Sequence, residues 1–277
     1  MHQPSHAEVG SGTPAATVRP RRHYPDGATV QIDELMQALG GQVERLRHAR
    51  AQIDNDFAWY PYDILANVVH IDAMLAGENR DLGRLTEGLP VADVGAADGD
   101  LAFALEDLGG WQLDILDTPA TNMNGLRGAA ALRDHLGSGV QIHDIDLDRQ
   151  FVLPRERYGL VLLLGILYHL QSPYYALREL AAHSRHCLLS TKVARFAGPA
   201  RTPIAELPVA YLVAPHETNN DPTNYWILSP AGLERLVERC GWTVLERLNV
   251  GDTVTSDPST TENDERMFLL LRSTVSS

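Results

Sequence analysis

From residue 89 onward, short apolar runs alternate with segments of helical periodicity, and this alternation limits the fold more than any other feature of the sequence. Repeated strand–helix–strand units place the strands parallel in one sheet with helices on both faces. The last two strands are joined by a polar loop, which predicts an antiparallel pair. We therefore expect an α/β fold with a mostly parallel seven-stranded sheet and an antiparallel edge strand. The predicted strands are 91–94, 112–116, 140–143, 160–164, 187–193, 243–249 and 267–272.

The predicted helices lie between these strands, at 101–108, 123–136 and 231–239, with one more beginning at Ser172-Pro173. Ser-Pro is a typical start, because serine can cap the first turn and proline fits the first helical position. The connection at 194–229 has little periodicity and is much longer than usual. We interpret it as a lid or binding insertion.

The segment before the sheet divides into a tail and a cap. Residues 1–27 are rich in Gly, Pro, Ser, Thr and Ala, which predicts a flexible tail whose arginines are solvated or contact a phosphate. Residues 28–88 predict a helical and aromatic cap, with two short helices or one bent helix over 33–52 and another helix over 64–76. The aromatic loop at 57–62 packs in a core or lines a ligand pocket. The sheet domain is then 89–277.

The charge of the chain limits its partners. Its 277 residues include 23 Lys and Arg against 36 Asp and Glu, for a formal net charge of −13. Such a charge repels phosphate and argues against binding to nucleic acid or anionic membranes. Cys187 and Cys240 predict reduced, unpaired thiols, and no apolar run reaches the roughly 18 residues of a membrane span. With no apolar signal-peptide core, we expect a cytoplasmic protein, and a homodimer stays open.

A glycine-containing turn follows the first predicted strand, in the sequence Asp93-Val94-Gly95-Ala96-Ala97-Asp98-Gly99-Asp100. Small residues at 95, 97 and 99 allow the backbone to approach a ligand at a helix N-terminus. The spacing does not match the dinucleotide pattern, and carboxylates at 93, 98 and 100 would repel a pyrophosphate. They suit a ligand with a positive sulfonium and amino group, so we expect S-adenosylmethionine (SAM) to bind at Asp93, Gly95, Ala97 and Gly99.

Two further acids end successive strands. Asp117, followed by Thr118, is placed to accept hydrogen bonds from a ribose diol. Asp144, followed by Ile145, is placed to meet an adenine amine. Each acid alone could be a helix cap or a solvated loop residue. Together they favour a nucleoside site, because open α/β sheets bind ligands at the carboxyl ends of their strands.

The fourth strand leads into Gly165, Tyr168 and His169 at the same sheet edge, where the methyl group of a bound donor would lie. His169 is a candidate base for the acceptor proton, with Tyr168 positioning the acceptor. His143 is a second candidate base, expected to be close in space. The alternative for His169 is packing against and capping the following helix.

Hydrogen-bonding and stacking residues predict an acceptor site beside the insertion. A metal that acidifies the acceptor hydroxyl stays open, but no tight ligand spacing predicts a metal site. The candidate acceptor residues are Trp59, Tyr62, His216, Glu217, Asn224, Tyr225, Trp226 and Arg266.

These motifs resemble those of class I SAM-dependent methyltransferases over about residues 57–272, which implies a Rossmann-like fold and SAM as cofactor. The segments Leu167-Tyr168-His169, Ser172-Pro173, Asn224-Tyr225-Trp226 and the strand with Arg266 resemble the tRNA wobble-uridine (carboxy)methyltransferase family. That resemblance implies a carboxylated SAM gripped through Tyr168, Arg266 and a lysine before the first strand. This chain departs there, since Lys192 in the fifth strand is its only lysine.

Relatives of that family include actinobacterial sugar O-methyltransferases of methylmannose polysaccharide synthesis, which act on the anomeric hydroxyl of methylated mannosides. The chain is similar to them in its lysine-poor composition and its aromatic segment at 59–62. We expect an O-methyltransferase for a small hydroxylated substrate, with a saccharide as the leading class. The alternatives are a tRNA methyl or carboxymethyl transferase and a SAM-binding protein without catalysis.

Overall fold

The structure is a computed structural model that describes residues 30–259 and 262–275. The predicted tail at 1–27 lies outside the described residues. Three helices precede the sheet: α1 (Ile32–Gln52), α2 (Asn67–Met74) and α3 (Leu82–Thr86). Gly40 and Gly41 lie inside α1, which is continuous. Burial of side chains on both sides of the glycine pair, including Leu35 and Leu46, offsets the low helix propensity of glycine.

The predicted alternation of strands and helices is confirmed, with bounds that shift by a few residues. Only the helix expected at 123–136 starts clearly later, because Asn122 and Asn124 hold the preceding turns. Ser229 caps its helix by accepting a hydrogen bond from Gly232, whereas the Ser172 side chain makes no such bond. The elements are β1 (Val91–Val94), α4 (Asp100–Gly109), β2 (Leu113–Asp117), α5 (Arg127–Leu136), β3 (Gln141–Asp144), β4 (Tyr158–Leu164), α6 (Pro173–His183), β5 (Ser184–Val193), β6 (Phe196–Ala197), β7 (Thr202–Pro203), β8 (Ala210–Leu212), β9 (Trp226–Leu228), α7 (Pro230–Arg239), β10 (Trp242–Gly251) and β11 (Glu265–Ser273).

The seven main strands form one sheet in the order β3-β2-β1-β4-β5-β11-β10. The first five are parallel, and β11 runs antiparallel to both β5 and β10. The antiparallel pair is therefore confirmed, with β10 at the edge and the reversed strand β11 one position inside it. From β1 the chain adds β2 and β3 on one side of the sheet, and then β4 and β5 on the other side. This reversal opens a crevice between β1 and β4, at the carboxyl ends of these two strands.

Two apolar clusters cover the two faces of the sheet. Helices α1 to α5 pack on one face, so that Ile32 and Leu46 of the N-terminal helices join Phe103 and Phe268 in a single cluster. Helices α6 and α7 cover the other face, around Leu177. The segment predicted as a cap thus shares its core with the sheet. Within the described residues, none of the helices is both long and apolar enough to cross a membrane. Both cysteines are buried and unpaired, as predicted.

The insertion at 194–229 contains the short strands β6 to β9 and a small apolar cluster of its own, which includes Ile204 and Ile227. Strand β9 pairs with β5 at Val193 and with β8. The backbone N–H of Tyr225 donates to the carbonyl of Tyr168, 2.9 Å away. The insertion is therefore attached to the turn that follows β4.

Gly159 marks the closest approach between the N-terminal helices and the sheet. A Cβ atom at this position would overlap the carbonyl oxygen of Thr86 at the end of α3. We expect Gly159→Ala to lower the free energy of unfolding by about 1–3 kcal/mol, because the backbone of α3 would have to shift. Urea denaturation measures this change.

Gly40→Ala is the matched control, since no atom of residues 30–259 or 262–275 lies within 4 Å of the added methyl group. Alanine in an exposed helix should raise the free energy of unfolding by about 0.5–1 kcal/mol. If Gly159→Ala were as stable as the wild type, the close packing of α3 on β4 would be contradicted.

Candidate functional site

The turn after β1 brings backbone close to the crevice. Gly95, Ala97 and Gly99 all have positive φ, at 64°, 56° and 83°. A Cβ on Gly95 would overlap the side chain of Ile166, and one on Gly99 would lie 2.7 Å from Ile115. Positive φ therefore favours glycine at both positions, and a methyl group there would force the side chains of Ile166 and Ile115 to move. Helix α4 begins directly after this turn, so its free N–H groups face the crevice.

Asp93 lies at the base of the turn and is 4% exposed. It accepts a hydrogen bond from the backbone N–H of Ala102, while its Oδ2 atom has no partner among the described residues. Burial raises the pKa of Asp93 to about 7, against the lowering effect of the Ala102 bond. A buried carboxylate oxygen without a donor is costly and would gain from a polar ligand.

The buried Asp93 should make the stability of the ligand-free protein depend on pH. Its pKa is about 7 in the folded chain and about 4 when unfolded, so between these values the folded chain binds more protons. The free energy of unfolding is expected to fall as pH rises through this window, by up to about 1.4 kcal/mol per pH unit. Denaturation of the wild type and of Asp93→Asn at several pH values isolates the contribution of Asp93 to the pH dependence of the free energy of unfolding. Identical pH slopes in the two proteins would count against the raised pKa.

The other two acids of the turn bind protein groups, which differs from the expectation that they face a cationic ligand. Asp98 is 1% exposed and accepts hydrogen bonds from the Tyr60 N–H at 2.9 Å and from Asn124 Nδ2 at 2.8 Å. Arg50 of α1 forms ion pairs with both Asp98 and Asp100. The single charge of Arg50 therefore offsets part of the charge of these two acids, and Asp93 is the acid of the turn with a buried oxygen that has no partner among the described residues.

Asp117 and Asp144 lie side by side, because β2 and β3 pair in register at these residues. Asp117 accepts hydrogen bonds from the Thr118 N–H at 2.8 Å and from Asn122 Nδ2 at 3.0 Å. Burial raises the pKa of Asp117, while these two hydrogen bonds lower it. The carbonyl of Asp117 also accepts from the N–H of Ile145 at 2.9 Å. The predicted ribose and adenine residues are therefore neighbours.

Sequence reasoning did not find Asn122, which joins the ends of β1 and β2. Its Nδ2 donates to the carbonyl of Ala97 at 3.2 Å as well as to Asp117. Its Oδ1 accepts from the backbone N–H of Leu126 at 3.0 Å. An asparagine in a polar loop carries no periodic signal, so only the fold reveals this role.

The three aromatic residues Trp59, Tyr60 and Tyr62 of the loop have different environments. Trp59 packs against Phe57, with ring centres 4.9 Å apart, and against the guanidinium of Arg50. Tyr60 reaches the crevice, where its hydroxyl accepts from the N–H of Met123 at 2.8 Å. Tyr62 is 67% exposed. Of these aromatics, Tyr60 has the closest contacts with the turns after β1 and β2.

The end of β4 is lined by Tyr168 and Arg266. Gly165 directly follows this strand, and a Cβ there would lie 3.4 Å from Arg266 Nη1 and 4.0 Å from the Tyr168 hydroxyl. Arg266 Nη2 donates to that hydroxyl at 3.5 Å. Lys192 on β5 is the cross-strand neighbour of Arg266, is 2% exposed, and forms an ion pair with Asp264 at 2.7 Å. Two cations from adjacent strands therefore lie together at this edge.

His169 lies in the short helical turn after β4, and His143 lies elsewhere. The Nδ1 atom of His169 is 2.8 Å from Thr223 Oγ1. His143 is on the edge strand β3, separated from β4 by β2 and β1, which is about 14 Å at the usual strand spacing. Its Nε2 lies 3.6 Å from Asp114 Oδ1. The expectation that the two histidines are close is wrong, because the strand order places them on opposite sides of β1.

The candidate residues of the insertion differ in their environments. His216 is exposed, and Glu217 accepts hydrogen bonds from the Tyr211 hydroxyl at 2.5 Å and the Ala214 N–H at 2.8 Å. Asn224 donates to the carbonyl of Thr218. Its Oδ1 atom and the Nε1 atom of Trp226 are buried and have no partner among the residues that the structure describes. Tyr225 accepts from Gln171 at 3.3 Å. In residues 30–259 and 262–275, no group of three His, Cys, Asp or Glu side chains is arranged to hold a metal ion.

Comparison with known proteins defines the fold. No protein-family model and no curated protein matches the sequence. The N-terminal domain of EvdMO1, crystallised with S-adenosylhomocysteine (SAH) and D-fucose, is similar with a TM-score of 0.54 and 18% identity over 84% of this chain and 97% of that one. A candidate methyltransferase from Bacillus halodurans C-125 is similar with a TM-score of 0.52 and 15% identity, over 77% and 99% of the two chains.

The [4+2]-cyclase SpnF is also similar, with a TM-score of 0.54 and 13% identity over 88% of this chain and 94% of that one. These likenesses show that the chain has the Rossmann-like fold of class I methyltransferases. Because the fold includes a protein named as a cyclase, it does not decide the reaction. The reaction has to be inferred from the side chains of the site.

Proposed function

We propose that this protein is a SAM-dependent O-methyltransferase that acts on a hydroxyl of a small polar substrate, with a saccharide as the acceptor class. The observation that carries the proposal is the position of three groups along one sheet edge. Asp93, whose Oδ2 atom has no partner among the described residues, lies near the carboxyl end of β1, Asp117 and Asp144 end β2 and β3, and His169 lies in the turn after β4.

The residues present fit a cationic nucleoside. Asp93 Oδ2 needs a donor, and each oxygen of Asp117 keeps a second lone pair beside its present hydrogen bond. Asp144 is exposed at the end of β3, where it can accept from an amine. Gly95, Ala97 and Gly99 let the backbone approach closely, and Thr118, Ile145, Gly165 and Tyr168 complete the surrounding wall.

When bound, SAM supplies an electrophilic methyl group on a positively charged sulfur. The protein then has to align the acceptor hydroxyl and remove its proton. Alignment alone contributes about 7–11 kcal/mol in well-oriented reactions. His169 has the position of the base, and burial lowers its pKa, so that the imidazole is neutral and able to take a proton near pH 7. Tyr168 and Arg266 border the acceptor side.

Two observations support a saccharide. Within the described part of the chain, the buried Asn224 Oδ1 and Trp226 Nε1 atoms lack partners, and an amide oxygen with an indole N–H suits the hydroxyl groups of a sugar. The domain of EvdMO1 that shares this fold was crystallised with D-fucose. A methylated mannose with a free anomeric hydroxyl is the first acceptor to test.

Calorimetry and mass spectrometry test the proposal in sequence. Titration with SAH should show saturable binding, and incubation with SAM and the methylated mannose should add one methyl group to the sugar. Binding of NADH in place of SAH would overturn the cofactor assignment. SAH binding without methylation of any sugar or other hydroxylated compound in a panel would favour a binding protein without catalysis.

One observation favours the second candidate, a carboxymethyl transferase that acts on tRNA. The resemblance calls for a lysine before the first strand, which this chain lacks, but Lys192 of β5 lies beside Arg266 and places a second cation at the same sheet edge. Replacing SAM with its carboxylated analogue separates the candidates, because the added mass identifies the transferred group. Retention of the protein on tRNA at low salt would support the second candidate, whereas the net charge of −13 argues against it.

A further inference from the structure

The side chain of His169, which follows β4, is connected by hydrogen bonds to two residues of the insertion at 194–229. Its ring is hydrogen-bonded to Thr223, which is in turn hydrogen-bonded to Asp221, and both partners belong to the insertion. We propose that Thr223 and Asp221 are positioning residues that hold His169 in the tautomer whose Nε2 atom accepts the acceptor proton. This inference rests on the proposed function and assigns these two residues to the same site.

The hydrogen bonds determine which ring nitrogen carries the proton. Thr223 Oγ1 donates to Asp221 Oδ1 at 2.6 Å, and the Thr223 N–H donates to the same oxygen at 2.9 Å. The hydroxyl has one proton, so its remaining role toward His169 Nδ1, 2.8 Å away, is to accept. The carbonyl oxygen of Thr223, 3.2 Å from Nδ1, can also only accept. Both contacts therefore require a proton on Nδ1, which leaves the lone pair of neutral His169 on Nε2.

Asp221 has to be ionised for this direction of hydrogen bonding. Burial alone would raise the pKa of Asp221, but the two hydrogen bonds from Thr223 hold it below its ordinary value. The carboxylate is then acceptor-only at neutral pH and fixes the direction of the Thr223 hydroxyl.

The charges around His169 come from three other elements. Asp221 of the insertion favours the protonated imidazole, while Arg266 of β11 and Lys192 of β5 oppose it. Tyr168, in the same helical turn, contributes a ring whose centre is 4.2 Å away. Burial and these charges together lower the pKa of His169, so the imidazole is neutral before the acceptor proton is transferred.

The proton transfer follows from this arrangement. As the acceptor oxygen forms its bond to the methyl carbon, its proton passes to His169 Nε2. The carbon–sulfur bond breaks and its electron pair stays on sulfur, which becomes neutral. The positive charge thus moves from sulfur to the imidazole. Asp221 faces the new imidazolium through Thr223, and the Nδ1–H bond to Thr223 is kept throughout.

Nitrogen NMR of the full chain with labelled histidine tests the inference without an acceptor. The sequence has 11 histidines, and His169→Ala identifies the relevant signal. In the wild type we expect neutral His169 to be protonated at Nδ1. Thr223→Val should make the Nε2-protonated form detectable, and Asp221→Asn should shift the titration of His169 to lower pH. Thr223→Ser, which keeps the hydroxyl, should behave as the wild type. Glu206→Gln changes an exposed carboxylate of the same insertion and serves as the control.

Activity gives the second readout. Thr223→Val should lower kcat by about 100-fold, near the lower end of what a general base contributes, and Thr223→Ser should restore it. The Kd for SAH should not change. A wild-type His169 protonated at Nε2, or an unchanged titration and tautomer in both Thr223→Val and Asp221→Asn, would overturn the inference. Failure of SAH to bind the wild type would instead overturn the proposed function.

Discussion

Replacing His169 with alanine is expected to lower kcat for methyl transfer by about 1,000-fold, within the usual contribution of a general base. Without the imidazole, the acceptor hydroxyl keeps its proton while its oxygen attacks, which raises the barrier. The glycine turn and Asp117 are untouched, so the Kd for SAH should stay at its wild-type value. Initial rates with a methylated mannose, together with calorimetry of SAH binding, measure both quantities.

The chain offers two matched controls for this variant. His143→Ala removes the imidazole on the far side of β1, and His216→Ala removes an exposed imidazole from the insertion. Both variants should retain methyl transfer. Near-normal turnover of His169→Ala would show that another group, or water, takes the proton. A loss as large in His143→Ala would show that the site extends to β3.

Replacing Asp117 with alanine is expected to weaken SAH binding by about 100-fold. The reason is the loss of two hydrogen bonds from the ribose hydroxyls to a carboxylate, since each such bond contributes about 1.5–3 kcal/mol and tenfold in Kd is about 1.4 kcal/mol. Asp117 is already oriented by Asn122 and Thr118, so little ordering is needed when the ligand binds. Calorimetric titration measures the change.

Asp134→Asn is the control for Asp117→Ala, because Asp134 is an exposed carboxylate on α5 whose ion-pair partner is its neighbour Arg133. Asp117→Asn keeps one acceptor oxygen and should lose less affinity than the alanine variant. Thermal melting checks that each variant is folded. If folded Asp117→Ala bound SAH with the affinity of the wild type, the assignment of Asp117 to the ribose would be wrong, and the proposed nucleoside site would be wrong with it.

Local patterns in the sequence were sufficient for the fold. The apolar runs at 91–94 and 160–164 predict strands, and the helical periodicity between the strands predicts helices. These predictions succeed because the spacing of apolar residues within a segment determines which of its faces can be buried. The turn at Gly95–Gly99 and the acid at Asp117 were found in the same way, since each directly follows a strand. Parallel strands then bring these turns to one edge.

The sequence by itself determined the α/β sheet, the glycine turn and the acids that end its strands, because these features are encoded by residues adjacent in the chain. Only the tertiary structure decided that Arg50 forms ion pairs with two acids of the turn, that His143 lies far from His169, and that Thr223 contacts His169. Each of these depends on strand order or on contacts between distant segments. Such contacts join residues far apart in the sequence, so no local periodicity records them.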